Sequence, residues 1–361
     1  MSINIEREKL TDYIAAIFAA KGMAADDAAM TAKVLVAADA RGIPSHGIGR
    51  LWRYLGGIDK GVMKLDVSPE TVKESANSLI VDAKGVMGPP VSYRTMEKIL
   101  DKADDCGMAF GSIRDSNHFG IAGYYAMMAA ERDMIGFTMT NTAALGVPTF
   151  GCDVMYGTNP IAVAVPADKE INYCLDMSTT VVSRGKIEVY DREEKNLPQG
   201  WAVNEKGLSA SEPGPLLESM LHRQGGGILP LGGEGVGFGG HKGFGLAVLV
   251  DIFCAVLSGA DFGPDVADSE ATSARVSHFF GAIKLERFRD PAAFKADMDQ
   301  MLRQLREAKP AEGQSRVYYA GLKEAEAEIV CRESGVPLSD KVWEQVTGFG
   351  DALGIERPET L

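Results

Sequence analysis

The chain reads as an α/β protein of the α+β kind: a mixed sheet with its helices, plus a helical domain built from both chain ends. Three observations predict this. From residue 78 onward, strand-like and helical stretches alternate. Two further strand candidates, IAVAVP and NYCLDM, follow one another with no helix of useful length between them, so part of the sheet is antiparallel. Helical patterning dominates the two ends. At 361 residues a single simple core is not expected, and two domains are the default.

The elements follow in order. Leu10, Ile14 and Phe18 recur at four-residue spacing and Gly22 can end that helix; a second runs from near Asp26 to about Ala40. SLIVDA is a strand, and PPVSYRTMEKILDKADDC is a helix with proline in its first turn. MAFGSIRD is a strand, IAGYYAMMAAERD a helix and MIGFTMT a strand. In that helix Tyr124, Tyr125, Met127 and Met128 read as core. Residues 191–240 are rich in Gly, Pro and charge and are expected to be mostly loop. A helix over 243–258, the strand SHFFGAIKLERF and the helix DPAAFKADMDQMLRQLREA complete the pattern; His278 opens an apolar strand and reads as structural. The expected division is a helical domain of residues 1–75 and 287–361 and an α/β domain of residues 76–286.

Lys+Arg 37 against Asp+Glu 50 gives a net charge of −13, with no basic run. Nucleic acid or an anionic membrane is therefore not the expected partner, whereas a small anionic substrate held by local cations is compatible. The five cysteines are scattered without a C-x-x-C pair, and no His/Cys/Asp cluster has metal-ligand spacing, so neither a disulfide framework nor a metal is expected. MSINIEREKL lacks the apolar core of a signal peptide, and the most apolar run, residues 243–260, is short for a span and interrupted by Asp251. A cytoplasmic protein is expected. No G-x-S-x-G or Ser-His-Asp arrangement supports hydrolysis.

Residues 235–240, GVGFGG, match G-x-G-x-x-G literally. The motif needs a preceding strand and an acidic residue closing the next one, and QGGGILPLGGE supplies neither. The stretch reads as a flexible glycine loop entering a helix. His241 and Lys242 then stand at a helix start, where free N–H groups favour an anion such as phosphate.

The segments that carry chemistry are RGIPSHGIGR (41–50), DSNHFGIAGYYA (115–126), FGCDVMYGTNPIAVAVP (150–166), LDMSTTVVSRGKI (175–187) and GGHKGFG (239–245). With SHG-x-x-R, SNHFG, GTNPIA-x-A-x-P, LDMS and GGHKGFGL in this order and spacing, the chain resembles the malate/L-lactate dehydrogenase family of NAD(P)-dependent oxidoreductases. That family also includes ureidoglycolate and sulfolactate dehydrogenases, diketogulonate reductase and cyclic-imine reductases for piperideine carboxylate. The resemblance weakens toward the C-terminus: where the family has a proline-glycine-glutamate cofactor loop, YYAGLKEAE (318–326) keeps Gly321 without the proline. It implies a non-Rossmann α/β domain binding NAD or NADP, a helical partner domain, and a homodimer with its site near the domain and subunit boundaries. It also implies cofactor contacts at Asp176, Met177, Ser178, Lys242, His241 and Gly321, with Asn141 and Thr142 as further candidates; for Asn141, satisfying strand-end backbone groups is the competing role.

Oxidising a 2-hydroxy acid requires removing a hydroxyl proton as hydride leaves the same carbon. Histidine suits this, since its pKa of about 6.5 makes both protonation states accessible. The resemblance assigns that role to His46. Ser45 can hydrogen-bond the imidazole or the substrate, and Arg50, one turn on if the segment is helical, can hold a carboxylate through two parallel hydrogen bonds. His118 is the rival proton donor, or polarises the carbonyl, or pins its loop. Lys186 separates subfamilies: this chain has RGK where cyclic-imine reductases carry an acidic residue in a His-Gly-Asp stretch. This favours a hydroxy-acid/oxo-acid dehydrogenase over an imine reductase; reduction of cyclic imino acids or of diketogulonate-type 2-oxo acids on the same scaffold is the alternative. A non-catalytic protein that keeps the fold is the third reading, supported by the altered YYAGLK stretch alone.

Overall fold

The computed structural model describes residues 2–269 and 272–361. The helical part is assembled from both ends of the chain. β1 (Ser2–Ile5), α1 (Arg7–Ala20), α2 (Ala25–Ala40) and α3 (Leu51–Asp59) open it. Its apolar core joins Leu10, Ile14, Ile17, Phe18 and Tyr54 to Val336, Leu338, Trp343 and Val346 from the far end.

The α/β part follows. It runs β2 (Glu70–Glu74), β3 (Ser78–Asp82), α4 (Gly88–Cys106), β4 (Met108–Ser116), α5 (Ala122–Ala130), β5 (Met134–Thr140), β6 (Ile161–Val165) and β7 (Tyr173–Met177). After them come α6 (Arg184–Arg192), β8 (Ala202–Val203), α7 (Pro213–Leu221), β9 (Gly227–Ile228), α8 (Gly240–Asp251) and β10 (Val276–Lys284). α9 (Pro291–Arg306), α10 (Leu322–Ser334), β11 (Val336–Ser339) and α11 (Asp340–Ala352) close the chain. β1 pairs antiparallel with β11, joining the two ends.

Seven strands form one mixed sheet in the order β2-β3-β4-β10-β5-β6-β7. β3 and β4 are parallel, linked by α4; every other neighbouring pair of this sheet is antiparallel. The alternation of side chains along a strand is visible at Phe279 and Phe280 of β10. Phe280 enters the core under α4 and α5, while Phe279 enters the core under α8 with Val250 and Cys254. Helices therefore cover both faces. α5 lies so close to β5 that a Cβ at Gly136 would stand 2.1 Å from the Ala126 carbonyl oxygen. α9 lies against the outer strands, Met298 and Leu302 packing with Val165, Ile171 and Tyr173.

Residues 191–240 are mostly loop, as expected, and the helix expected after them differs in its bounds. Within that loop-rich stretch α7 buries Leu216 and Met220, four residues apart, against Ile187 and Ile228. The surrounding glycine, proline and charge hid that one-turn apolar pair. The helix expected over 243–258 begins at Gly240 and passes into a π turn, Ile252–Val256, where the Phe253 carbonyl accepts the Ser112 hydroxyl at 3.1 Å. GVGFGG forms the loop that leads into α8 and ends on its first residue, Gly240, and the strand before it, β9, pairs with β8 outside the main sheet. No helix among the described residues is long and apolar enough to cross a membrane.

The topology concentrates chain turns. β4 and β5 are both antiparallel to β10, and β6 and β7 alternate in direction beyond them. The C-terminal ends of β3, β4, β5 and β7 and the starts of β6 and β10 therefore share one edge of the sheet. His118, Asn141, Thr142 and Asp176–Ser178 all lie at that edge.

Candidate active site

Beyond α2 the chain makes two short 3-10 turns, Pro44–His46 and Ile48–Arg50, and then enters α3. Proline opens the first turn, where its missing N–H costs nothing. The turns are broken at Gly47, whose backbone is extended, so the segment is not one helix. Asp39, in the last turn of α2, fixes this break. Its Oδ2 accepts the Ile48 N–H at 2.7 Å, and a Cβ at Gly47 would lie 2.2 Å from the same carboxylate. Arg50 reaches back to donate from Nε to the Ser45 carbonyl at 2.7 Å, and Ser45 Oγ meets His46 Nδ1 at 2.9 Å. Proton chemistry is thereby left to His46 Nε2.

His118 arrives from the end of β4. Its loop is pinned by Asn117, whose Nδ2 donates to the carbonyls of Gly85 and Val86 at 2.9 Å each. Phe119 stacks on the buried His278 ring at 4.3 Å, and His278 in turn bonds Thr140 and Ser116, tying β4, β5 and β10. The structural role expected for His278 is thus visible in its contacts. The His46 and His118 rings stack at 5.6 Å with 23° between planes. Tyr54, fully buried on α3, donates its hydroxyl proton to His118 Nδ1 at 2.5 Å, and the Gly120 N–H approaches the same atom at 3.4 Å. With Nδ1 accepting, the neutral His118 ring carries its proton on Nε2.

Electrostatics keeps both rings neutral at pH 7. Burial first, and the Arg50 charge second, push the His46 imidazolium down to about 4. His118 is pushed well below its usual value by burial, with His46, Arg53 and Arg50 adding to it. Burial raises the Tyr54 phenol, which keeps it a donor. Burial and then Arg53 lower Arg50 somewhat, while Glu188 on α6 acts the other way. Arg53, one turn along α3 from Arg50, meets the half-exposed Asp268 at 3.6 Å, a long ion pair.

The second group of candidates lies around a cleft of about 290 Å³ bordered by Arg41, Ile121, Asp176, Tyr318, Gly321 and Lys323. Asp176 Oδ2 accepts the Gly123 N–H at 2.7 Å, in the first turn of α5. Flanked by protein on most sides, though open to the cleft, its carboxyl is raised to about 6 by desolvation against that hydrogen bond. Gly321 has φ +89° and sits so close to β7 that a Cβ would be 2.8 Å from Cys174. Arg41 is buried and paired with Glu328 at 2.7 Å, which also holds Arg7. Lys323 and Asp176 on the border of this cleft are groups that could hold part of a cofactor.

The remaining candidates are dispersed. Met177 and Ser178 are half-buried at the end of β7, with Ser178 Oγ donating to the Thr180 carbonyl at 3.1 Å. Asn141 is fully buried, its amide committed to the Ser277 N–H at 2.7 Å and the Asp261 carbonyl at 3.3 Å. Thr142 Oγ1 accepts the Thr158 N–H at 2.9 Å. His241 and Lys242 are exposed at the start of α8, whose entry loop is tied to the 178–180 turn by the Leu231 N–H on the Thr179 carbonyl at 2.8 Å. Lys186 is exposed on α6 with its ammonium over the Tyr190 ring.

Sequence reading missed Asp39, Arg53 and Tyr54. A signal existed for two of them, since Arg53 and Tyr54 stand three and four residues after Arg50 at the spacing of one helix face. Asp39 gave none, because its partner is a backbone N–H.

A family model described as malate/L-lactate dehydrogenase matches residues 5–347. Among curated relatives, malate dehydrogenase from Pyrococcus horikoshii is 37% identical over 354 residues, covering 98% of this chain and 96% of the relative. Malate/(S)-sulfolactate dehydrogenase from Methanothermus fervidus is 34% identical over 358 residues, covering 99% of each. The crystal structure of malate dehydrogenase from Entamoeba histolytica superposes with a TM-score of 0.94 at 31% identity, covering 99% of this chain and 100% of that one.

Proposed function

The chain belongs to the malate/L-lactate dehydrogenase family, and on that premise we propose that it interconverts a small anionic 2-hydroxy acid and its 2-oxo acid, with NAD or NADP. The observation that carries this reading is the pairing of two neutral imidazoles, stacked at 5.6 Å, beside the Arg50 guanidinium. Arg50 holds the substrate carboxylate by paired hydrogen bonds. His46, neutral and free at Nε2, takes the hydroxyl proton in oxidation and returns it in reduction. His118, with its proton on Nε2, donates a hydrogen bond to the same substrate oxygen and so favours negative charge building there. A bound nicotinamide would supply the hydride acceptor for oxidation and the hydride donor for reduction. Asp176, Met177, Ser178 and Gly321, with His241 and Lys242, would hold the cofactor, and Asn141 and Thr142 border that region.

Protonating free His46 is opposed by Arg50. A carboxylate seated on Arg50 offsets that charge, so substrate binding itself readies the acid for the reductive direction. Arg53 adds a second guanidinium near the pair, its charge reaching His118 and Arg50. That supports a substrate with a second acid group, malate rather than lactate in type. Lys186 on α6, where the imine reductases carry an acid, supports an oxo-acid substrate.

One panel tests these points: oxaloacetate, pyruvate and piperideine carboxylate with NADH and with NADPH. Turnover is expected with the oxo acids, oxaloacetate foremost, and Arg53→Gln should raise KM for oxaloacetate about tenfold while sparing pyruvate. Preference for the imine, or near-normal turnover by His46→Ala, overturns the reading.

A further inference from the structure

We propose that Asp39 is a positioning residue for this reaction: its carboxylate fixes the Gly47–Ile48 backbone and so sets where the His46 ring and the Arg50 guanidinium stand. Asp39 is only 5% exposed. A carboxylate in such a place is costly unless something requires it, and the other acidic residues of α2, Asp26 and Asp27, lie in its first turn, far along the helix from this contact. The partner of Asp39 is the N–H of Ile48, two residues from His46 and two from Arg50, so a single contact governs both ends of the acid/base and anchor segment.

The shape of the contact is as telling as the bond. A Cβ built on Gly47 would fall 2.2 Å from Cγ, Oδ1 and Oδ2 of Asp39 alike, so the carboxylate lies flat in the space a side chain would take. Residue 47 thus has to be glycine because residue 39 is a carboxylate, and the extended backbone at Gly47 (φ −86°, ψ −158°) separates the two 3-10 turns. Across that break Arg50 Nε turns back to donate to the Ser45 carbonyl. Asp39 exerts no resolved charge effect on the His46 ring, whose shift comes from burial and Arg50. Its action is therefore through geometry, and misplacement of reacting groups by about 1 Å costs on the order of 100-fold in rate.

The activity arm of the test rests on the hydroxy-acid reading above; a spectroscopic arm does not. Asp39→Asn keeps an oxygen acceptor of the same shape and is expected to hold kcat within about threefold of the parent. Asp39→Ala should lower kcat on the order of 100-fold, with NADH affinity by fluorescence titration unchanged. Gly47→Ala asks the same question if Asp39→Ala does not fold, and should lose kcat at least about tenfold. When both substitutions are combined, the methyl group added at position 47 occupies the space vacated at position 39, so kcat should be no lower than that of the worse single variant. Independently of activity, the ring-nitrogen resonances of His46, assigned among five histidines through His46→Asn, should move in Asp39→Ala and stay in Asp39→Asn. The proposal is overturned if Asp39→Ala keeps kcat and the His46 signals, if Asp39→Asn is as impaired as Asp39→Ala, or if the two single losses multiply. A parent enzyme that turns over no 2-hydroxy acid, with the His46 signals behaving as expected, would sink the proposed function and leave the positioning role standing.

Discussion

At His46 burial and Arg50 act in the same direction, both disfavouring the imidazolium and leaving the ring a base at neutral pH. The free-enzyme profile follows from the sign of that shift. For oxidation, kcat/KM should be level through neutrality and fall only as the pH approaches about 4, where His46 takes up a proton. For reduction the acid form is required, so kcat/KM should decline about tenfold per unit as pH rises across the neutral range. Arg50→Gln removes the second cause and should move the oxidative limb upward, toward the ordinary histidine range of about 6.5. Rate profiles against pH in both directions check this, and an oxidative limb already centred near 6.5 in the parent would contradict it. Ser45, His46 and Arg50 could be put forward from the sequence because they fall in one ten-residue segment whose motif carries the family resemblance. The stacking of His118 on His46 was not, because it depends on the end of β4 meeting the segment beyond α2, which no local spacing encodes.

The same distinction holds among elements. Strands with an apolar run, such as FFGAI in β10, and helices with several turns of apolar spacing, such as α4, announce themselves in the sequence. α7 has a single buried pair, β8 and β9 have two residues each, and β1 finds its partner only at the other end of the chain. The π turn after α8 has no sequence signature either. The turn between α2 and α3 shows how an element can carry a thermodynamic mark. Burial raises the Asp39 carboxyl to about 7, above its unfolded value of 3.8, and the Ile48 N–H offsets only part of that. The folded state thus holds this proton where the unfolded chain has released it. Its contribution to stability is full below about pH 4, declines as the pH rises through about 7, and is flat beyond. Asp39→Asn carries no such proton, while the buried histidines, whose shifts run the opposite way, are common to both proteins. The stability difference, parent minus variant, should therefore fall between pH 4 and pH 7 in urea unfolding; a constant difference would mean that the carboxyl ionises as it does in water.

For the whole molecule the uncovered surface is the guide. α8 and its π turn bury Ala247, Val250 and Cys254 against the sheet, yet Val248, Leu249, Ile252, Val256 and Leu257 on the outward side are 38–56% exposed. The π turn adds a residue to the helical repeat, so Val256 and Leu257 continue the line begun by Val248, Leu249 and Ile252. Phe262, five residues further along the chain, is exposed as well. A net charge of −13 disfavours bringing two copies together unless the meeting surface is uncharged, and this helix face carries no charged residue between Val248 and Leu257 apart from the half-buried Asp251, whose acceptor is turned to Asn159. Contiguous apolar surface of this kind is characteristic of subunit contacts. The homodimer implied by the family resemblance is accordingly expected to form across this face. Sedimentation of the parent should give twice the chain mass of 38.6 kDa, and Ile252→Glu with Val256→Glu should give one chain mass, since each copy would then bury unpaired carboxylates. A parent that sediments as a single chain, or a charged variant that remains a dimer, would place the contact elsewhere.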